Sequence, residues 1–450
     1  MITSNFAVKL NKVSFLKLKL WQTMRVIIDI RLTVSLLLLI ALVSISGTLI
    51  EQEKSLEFYQ KAYPDSPALF GFLTWNLILL LGLNHVYSTW WFLLLLALFS
   101  LSLILCTFTR QWSALKATNK WIFYKKPHQF QKLLLSSELK AKKIIPIINI
   151  LKEKKYKIFQ ENNTIYARKG ILGKIGPIVV HIGILITLCG AVLGSLTGFL
   201  EQKMVASGSE FKINSHLNLG PLSTLQSSRN WKVRVNRFWI DYNSKGSVDQ
   251  FYSDLSIIND DDEELKKETI YVNKPLRYDG VTIYQTDWGI SSAQIQIDNG
   301  NIFQLPMASL ENNNQSKIWG TWIPLKNDLS KGISLIAKDL QGTMIIYDEN
   351  GSLDSAVRIG MPLVINGVEL KVHKLIGSTG FQIKADPGIP LVYTGFGLLM
   401  LGVIMSYISH SQIWILQTNH TCLIGGKTNR SQITFEKEII GIIDSLECSE

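Results

Sequence analysis

The sequence predicts a membrane α-helical protein with four transmembrane helices, carrying a large β-rich soluble domain on the lumenal or periplasmic side. Three observations predict it. Four apolar runs each approach the roughly 20 residues that a helix needs to cross a bilayer. Lysine and arginine crowd beside those runs on alternate connections, the asymmetry that sets membrane orientation. Between the third and fourth runs lie short stretches of period-two alternation, with no helical periodicity of comparable length. Composition agrees, since 47% hydrophobic and 18% charged residues over 450 positions suits a mixture of spans and soluble structure.

Taken in order, residues 1–31 form a basic N-terminus with Lys9, Lys12, Lys17, Lys19, Arg25 and Arg31. The first span, 32–50, follows without a convincing small-residue cleavage site, so it reads as a spanning segment and not a removable leader. The loop 51–89 sets Lys54 and Lys61 against Glu51, Glu53, Glu57 and Asp65. The second span covers 90–108, its apolar character reaching back toward Leu73. The connection 109–175 is the most basic part of the chain, from Arg110 and Lys116 to Lys154, Lys155 and Lys157. The third span is 176–200, and the fourth, 389–408, opens at Pro387 and Pro390 before a tail at 409–450. The positive-inside rule then puts both termini and 109–175 on the cytoplasmic or stromal side, and 51–89 and 201–388 opposite. Within the lysine-rich connection, IIPIINILKEKKYKIFQ and NTIYARKG read as a small helix and strand lying against the membrane, drawn there by anionic headgroups.

In the soluble region, WKVRVNRFWIDY (231–242) alternates through Val233 and Val235 and shifts phase near Phe238. VTIYQTDW (281–288), SAQIQID (292–298), TMIIYDENG (343–351) and LVINGVELKVHKLIG (363–377) share that character. Turn signals at 242–244, Asp279-Gly280 and Asn366-Gly367 separate them, which predicts an antiparallel sandwich or open barrel. The acidic run from Asn259 to Glu264 reads as a solvated hairpin tip. No Ser/His/Asp arrangement, metal-spaced carboxylate cluster or phosphate-cradling glycine loop occurs there, and His216 and His373 read as surface or satisfied strand residues.

Composition also excludes function classes. Cys106, Cys189, Cys422 and Cys448 all lie outside 201–388 and form no C-x-x-C pair, which argues against a thiol relay. The net charge of +11 sits beside the spans, where it faces membrane lipid. No basic, aromatic-interleaved module appears, so no nucleic-acid partner is expected.

Among the histidines, His181 in GPIVVHIGILITLCG (176–190) stands inside a span. A polar ring in hydrocarbon is costly and marks a functional site by default, the alternative being a hydrogen bond to a neighbouring helix. His85, at the edge of the second span, is a weaker candidate ligand, and His128, His410 and His420 read as solvated. Gly190, Gly194 and Gly198 make a small-residue stripe suited to a partner helix, and Gly183 leaves room beside the histidine.

Several stretches together carry a resemblance over nearly the whole chain. They are GTLIEQ (47–52), LGLNHVYSTWWF (81–92), GPIVVHIGILITLCGAVLGSLTG (176–198), QFYSDLSI (250–257), VNKPLRYDGVTIYQTDW (272–288), KADPGIPLVYTGFGLLMLG (384–402), IGGKTNR (424–430) and FEKE (435–438). In this order they resemble the ResB-like cytochrome c biogenesis proteins of System II. The resemblance implies an assembly factor, or a non-catalytic subunit of a haem lyase complex, that delivers haem b across the membrane for covalent attachment to apocytochrome c. It implies a polytopic, tryptophan-rich partner, since this chain has no such motif beyond Trp90-Trp91. It also makes His181 the expected axial haem-iron ligand, with His85 the rival. Two other readings remain open at this point: a scaffold for the partner that never touches haem, and a membrane haem b electron carrier. Abundant Lys, Asn and Ile fit an AT-rich genome, hence a plastid or cyanobacterial thylakoid, with a bacterial plasma membrane the alternative.

Overall fold

The computed structural model describes residues 24–118, 120–139, 145–213, 220, 222, 230–298, 300–310, 317–324, 332–348, 350–365, 368–418 and 421–447. The turn expected at Asn366-Gly367, together with His216, His420 and Cys448, lies outside them. The chain divides into one unit of Met1–Val192 with Gly388–Glu450, and a second of Leu193–Pro387.

Four helices among the described residues are long and apolar enough to cross a membrane: Ile30–Leu49, Trp90–Ala117, Leu172–Thr197 and Ile389–Tyr407. Asp29 opens the first by accepting the Arg31 N–H at 3.1 Å, and Pro390 in the first turn opens the fourth. The second runs on past Arg110, beyond the 108 expected from hydropathy, through a π turn at Thr107–Gln111. The third starts at Leu172, four residues before the expected 176, so Lys174 is within the helix; one lysine near a helix end can extend its charge toward water. It stops at Thr197 because Phe199–Ala206 pairs as a strand.

The third and fourth spans pack through glycines seven residues apart. A Cβ on Gly176 would lie 2.8 Å from the Gly402 carbonyl oxygen, one on Gly183 2.8 Å from that of Gly395, and one on Gly190 2.8 Å from that of Gly388. The two helices are therefore antiparallel and in backbone contact at three successive levels. This corrects the expected glycine stripe for a partner helix: Gly190 faces the chain's own fourth span, and Gly194 faces Asp386. Gly183 leaves no room for a flat ligand, since Leu399 N would stand 2.7 Å from its Cβ.

The basic connection and the tail fold together, which the sequence reading missed. Strands Leu135–Leu139, Cys422–Thr428, Ser411–Gln417, Thr164–Lys169 and Lys157–Glu161 form, in that order, one antiparallel sheet. Helices Ile145–Glu153 and Gln432–Glu447 cover one face, burying Ile147, Leu151, Ile413, Ile424, Phe435 and Ile442. The helix expected to lie on the membrane thus packs on a sheet, because its apolar side meets strands contributed from beyond the fourth span. The other face is aromatic, with Tyr124 stacked on Trp414 at 4.7 Å and Trp121 on Phe159 at 4.2 Å.

In the second unit, sheets of six, five and four antiparallel strands occur among the described residues. Two long strands, Val281–Ile297 and Val368–Ala385, pair along their whole length. At one end Ile295, Leu370 and Val372 join a core with Trp319, Leu335 and Ile346; at the other Ile283, Phe381 and Ile383 join one with Val233, Val235 and Leu255. The sequence expected two short strands at 281–288 and 292–298. Register shifts at Gln285/Asp287 and Ile290/Ser292 break the alternation and imitate strand ends. The phase change near Phe238 has the same origin, a shift between Val235 and Arg237. The acidic tip is ordered by Asn259 Oδ1, which accepts the Glu263 N–H at 2.8 Å, and Asp262 is bound by Lys232 at 2.6 Å.

Candidate functional site

His181 lies nine residues into the third span, about 14 Å along the helix from Leu172, deeper than its distance from Gly176 suggested. Two residues from the end of the second span meet its ring. Thr107 Oγ1 is 2.8 Å from Nδ1, and Gln111 Nε2 is 3.0 Å from the ring Nε2. The Thr107 hydroxyl donates to the Leu103 carbonyl at 2.8 Å. With that proton committed, Thr107 accepts from Nδ1–H and the other ring nitrogen carries the lone pair; the Gln111 amide nitrogen, 3.0 Å from that nitrogen and 3.4 Å from Nδ1, lies against the ring face, and the proton positions follow from the Thr107 contacts. Gln111 Oε1 is buried without a hydrogen-bond partner.

This arrangement can fix a tautomer. An imidazole held through Nδ1–H presents Nε2 as a donor to a metal, the way outer-shell contacts set ligating histidines. Among the described residues no three His, Cys, Asp or Glu side chains gather to hold a metal ion. The cluster of His181, Thr107 and Gln111 thus holds one strong metal-ligating nitrogen, on His181. Gln111 escaped the sequence reading because it lies past Arg110, beyond the expected end of the span, and Thr107 because a single hydroxyl within a span is unremarkable. Their four-residue spacing on one helix face was the available signal.

His85 is exposed, in a 3-10 turn that precedes the second span, with Nδ1 2.8 Å from Asn84 Oδ1. Thr107, which touches His181, follows Trp90 by 17 residues, about 26 Å of helix. The two candidate histidines thus belong to opposite ends of one span and do not converge on one iron. His373 is satisfied by Gln296 Oε1 at 2.8 Å, and His128 is exposed, both as expected. His410 corrects the reading as solvated: it is 2% exposed, with Nδ1 3.0 Å from the Lys169 carbonyl oxygen. Burial, reinforced by Lys174, lowers its pKa and keeps the ring neutral.

A model of the ResB-like family matches residues 30–328 and 301–440. The chain belongs to the ResB-like family. It is 66% identical over 426 residues to the cytochrome c biogenesis protein CcsB of Crocosphaera subtropica, covering 95% of this chain and 94% of that protein. It is 58% identical over 421 residues to the protein of the same name from Microcystis aeruginosa, covering 94% of each. The matched region of this ResB-like chain takes in Thr107, Gln111 and His181, and reaches the sheet strands that follow the fourth span.

Proposed function

We propose that this ResB-like membrane protein serves cytochrome c biogenesis by delivering haem b, with His181 Nε2 as an axial ligand to its iron. The observation that carries the reading is the Thr107 contact, which anchors Nδ1–H and leaves the other nitrogen as a lone-pair donor inside an apolar span. Haem is the cargo and supplies the iron; this chain's residues hold the ring, orient it and surround it with hydrocarbon. The second axial ligand comes from a polytopic, tryptophan-rich partner subunit. Lysine and arginine counts support an orientation with 109–175 on the stromal or cytoplasmic side and 201–388 on the lumenal side of a thylakoid membrane. The β-rich unit, without a catalytic constellation in the sequence, then holds apocytochrome c or the partner's loops beside the emerging haem.

The test compares haem absorption of the complex purified with its partner for native chain, His181→Ala and His85→Ala, each with and without imidazole. Haem loss on His181→Ala alone, restored by imidazole, supports the ligand. Unchanged haem content refutes it and favours the second reading, a scaffold. That reading draws on one observation: both His181 nitrogens have polar neighbours, as in a packing histidine.

A further inference from the structure

We propose that the β-rich unit binds an extended, acidic polypeptide segment by strand addition, in a slot between two strand edges. The inference rests on the reading above that this unit holds polypeptide, and is independent of iron at His181. The slot is a cavity of about 470 Å³ lined by residues 237–240 of one strand and 373–377 of another, with Ser207 at their junction. Side chains of a strand alternate between its two faces, so a cavity that touches five successive residues runs along the strand's edge. Both edges lack a neighbour there. Val368–Ala385 pairs on its second side with Pro362–Ile365 as far as Lys371, and with Phe199–Ala206 from Ser378 onward. Two loop contacts close the ends of this break: the Gly360 N–H donates to the Val372 carbonyl at 2.8 Å, and the Ser207 N–H to the Gly377 carbonyl at 2.9 Å. His373–Ile376 are left without a strand on that side among the described residues. On Trp231–Tyr242, Glu210–Phe211 pairs only with Val233 and Arg234, and Ser207 Oγ accepts the Phe238 N–H at 3.1 Å, so 239–242 are open likewise.

Unpaired edges recruit extended chains, whose backbone supplies the missing hydrogen bonds while alternate side chains find pockets. The lining selects the kind of chain. Arg237 and Lys374 carry no ion pair among the described residues, and no residue lining the cavity is acidic. Arg237 is held over the Trp239 ring at 5.1 Å, and Phe238, Leu340, Ile359 and Ile376 supply apolar surface. A segment that alternates carboxylates with apolar side chains answers both features at once.

The experiment follows the fluorescence anisotropy of short labelled peptides added to the full chain with its partner in phosphatidylcholine nanodiscs. The probe alternates glutamate with valine. A peptide alternating lysine with valine is the charge control, and the glutamate peptide N-methylated at alternate residues is the pairing control. The proposal expects the glutamate peptide to bind at least about tenfold more tightly than either control. The double variant Arg237→Glu, Lys374→Glu should invert the charge preference, and Arg237→Gln, Lys374→Gln should abolish it. Both side chains are exposed, and far-UV circular dichroism checks that each variant keeps its fold. Cations on a strand edge can also serve to repel other chains. Absence of binding would assign them that role and overturn the proposal. Equal binding of the N-methylated peptide, or a preference that the charge variants leave unchanged, overturns it too. Haem absorption of His181→Ala, read separately, tests the haem reading alone, and glutamate-peptide binding should persist in that variant.

Discussion

Alanine at Gly183 should loosen the third and fourth spans by an amount that can be worked out from the backbone. The added Cβ would stand 2.7 Å from Leu399 N and 2.8 Å from the Gly395 carbonyl oxygen, whereas ordinary contact begins at 3.4 Å. Relief requires the helices to retreat by about 0.7 Å at that level. A gap of that size forfeits a quarter to a half of each neighbouring contact's dispersion energy. Overpacking of this kind costs about 1–3 kcal/mol. Any glycine-to-alanine change in a helix also brings an intrinsic gain of up to about 1 kcal/mol, which must be subtracted. Gly397 supplies the reference: it lies on the fourth span with nothing within 4 Å of its Cβ position, so Gly397→Ala shows only the gain. The difference between the two variants is then the strain alone, about 1–3 kcal/mol. Unfolding in mixed micelles by SDS titration, followed by far-UV circular dichroism, measures both. The Gly183→Ala, Gly395→Ala double variant should cost less than the sum of its parts, since one separation serves both. Equal stability of Gly183→Ala and Gly397→Ala would refute the glycine contact.

Three further outcomes are expected. The pKa of buried His410 is lowered, so the unfolded chain takes up a proton first as pH falls below about 6.5; the stability contribution is full above that pH and is lost on acidification. Denaturant midpoints at about pH 7.5 and 5.5 should differ less in His410→Gln than in the native chain, and an equal difference would show that another group sets the slope. Cys422, its thiol pushed up to about 11 by burial, should resist iodoacetamide at neutral pH until the sheet unfolds; prompt labelling of native protein would contradict that. Trp414, 4% exposed, stacked on Tyr124 and donating to the Ile122 carbonyl at 2.8 Å, should cost about 3–5 kcal/mol on replacement by alanine, seen as faster proteolysis of the segments around the sheet.

Hydropathy made the spans legible because a helix in lipid satisfies its backbone internally and needs only an apolar exterior. Strand 231–242 was legible because Val233 and Val235 alternate with polar neighbours over one buried face. What failed has physical causes. Cys422–Thr428 and Leu135–Leu139 are paired across the third and fourth spans and the whole of Leu193–Pro387, and no local pattern announces such a partner. The glycine stripe was read at a four-residue spacing, whereas contact with an antiparallel helix selects every seventh residue: Gly176, Gly183 and Gly190. His181 stood out as a lone polar group, yet its partners Thr107 and Gln111 did not, since only their four-residue spacing links one hydroxyl and one amide beside a charged residue.

The three glycine levels also bear on how the chain is threaded. They hold Gly190 beside Gly388, so the polypeptide leaves the helix pair and re-joins it at one point. In topological terms the pair is a helical hairpin, and Leu193–Pro387 is the turn that closes it. Closing a longer turn adds only a logarithmic entropy penalty, so an insert of this size burdens the hairpin little more than a short one would. A few flexible residues in place of 193–387 should leave the hairpin in register, and a different folded module with adjacent termini should be accepted there equally well.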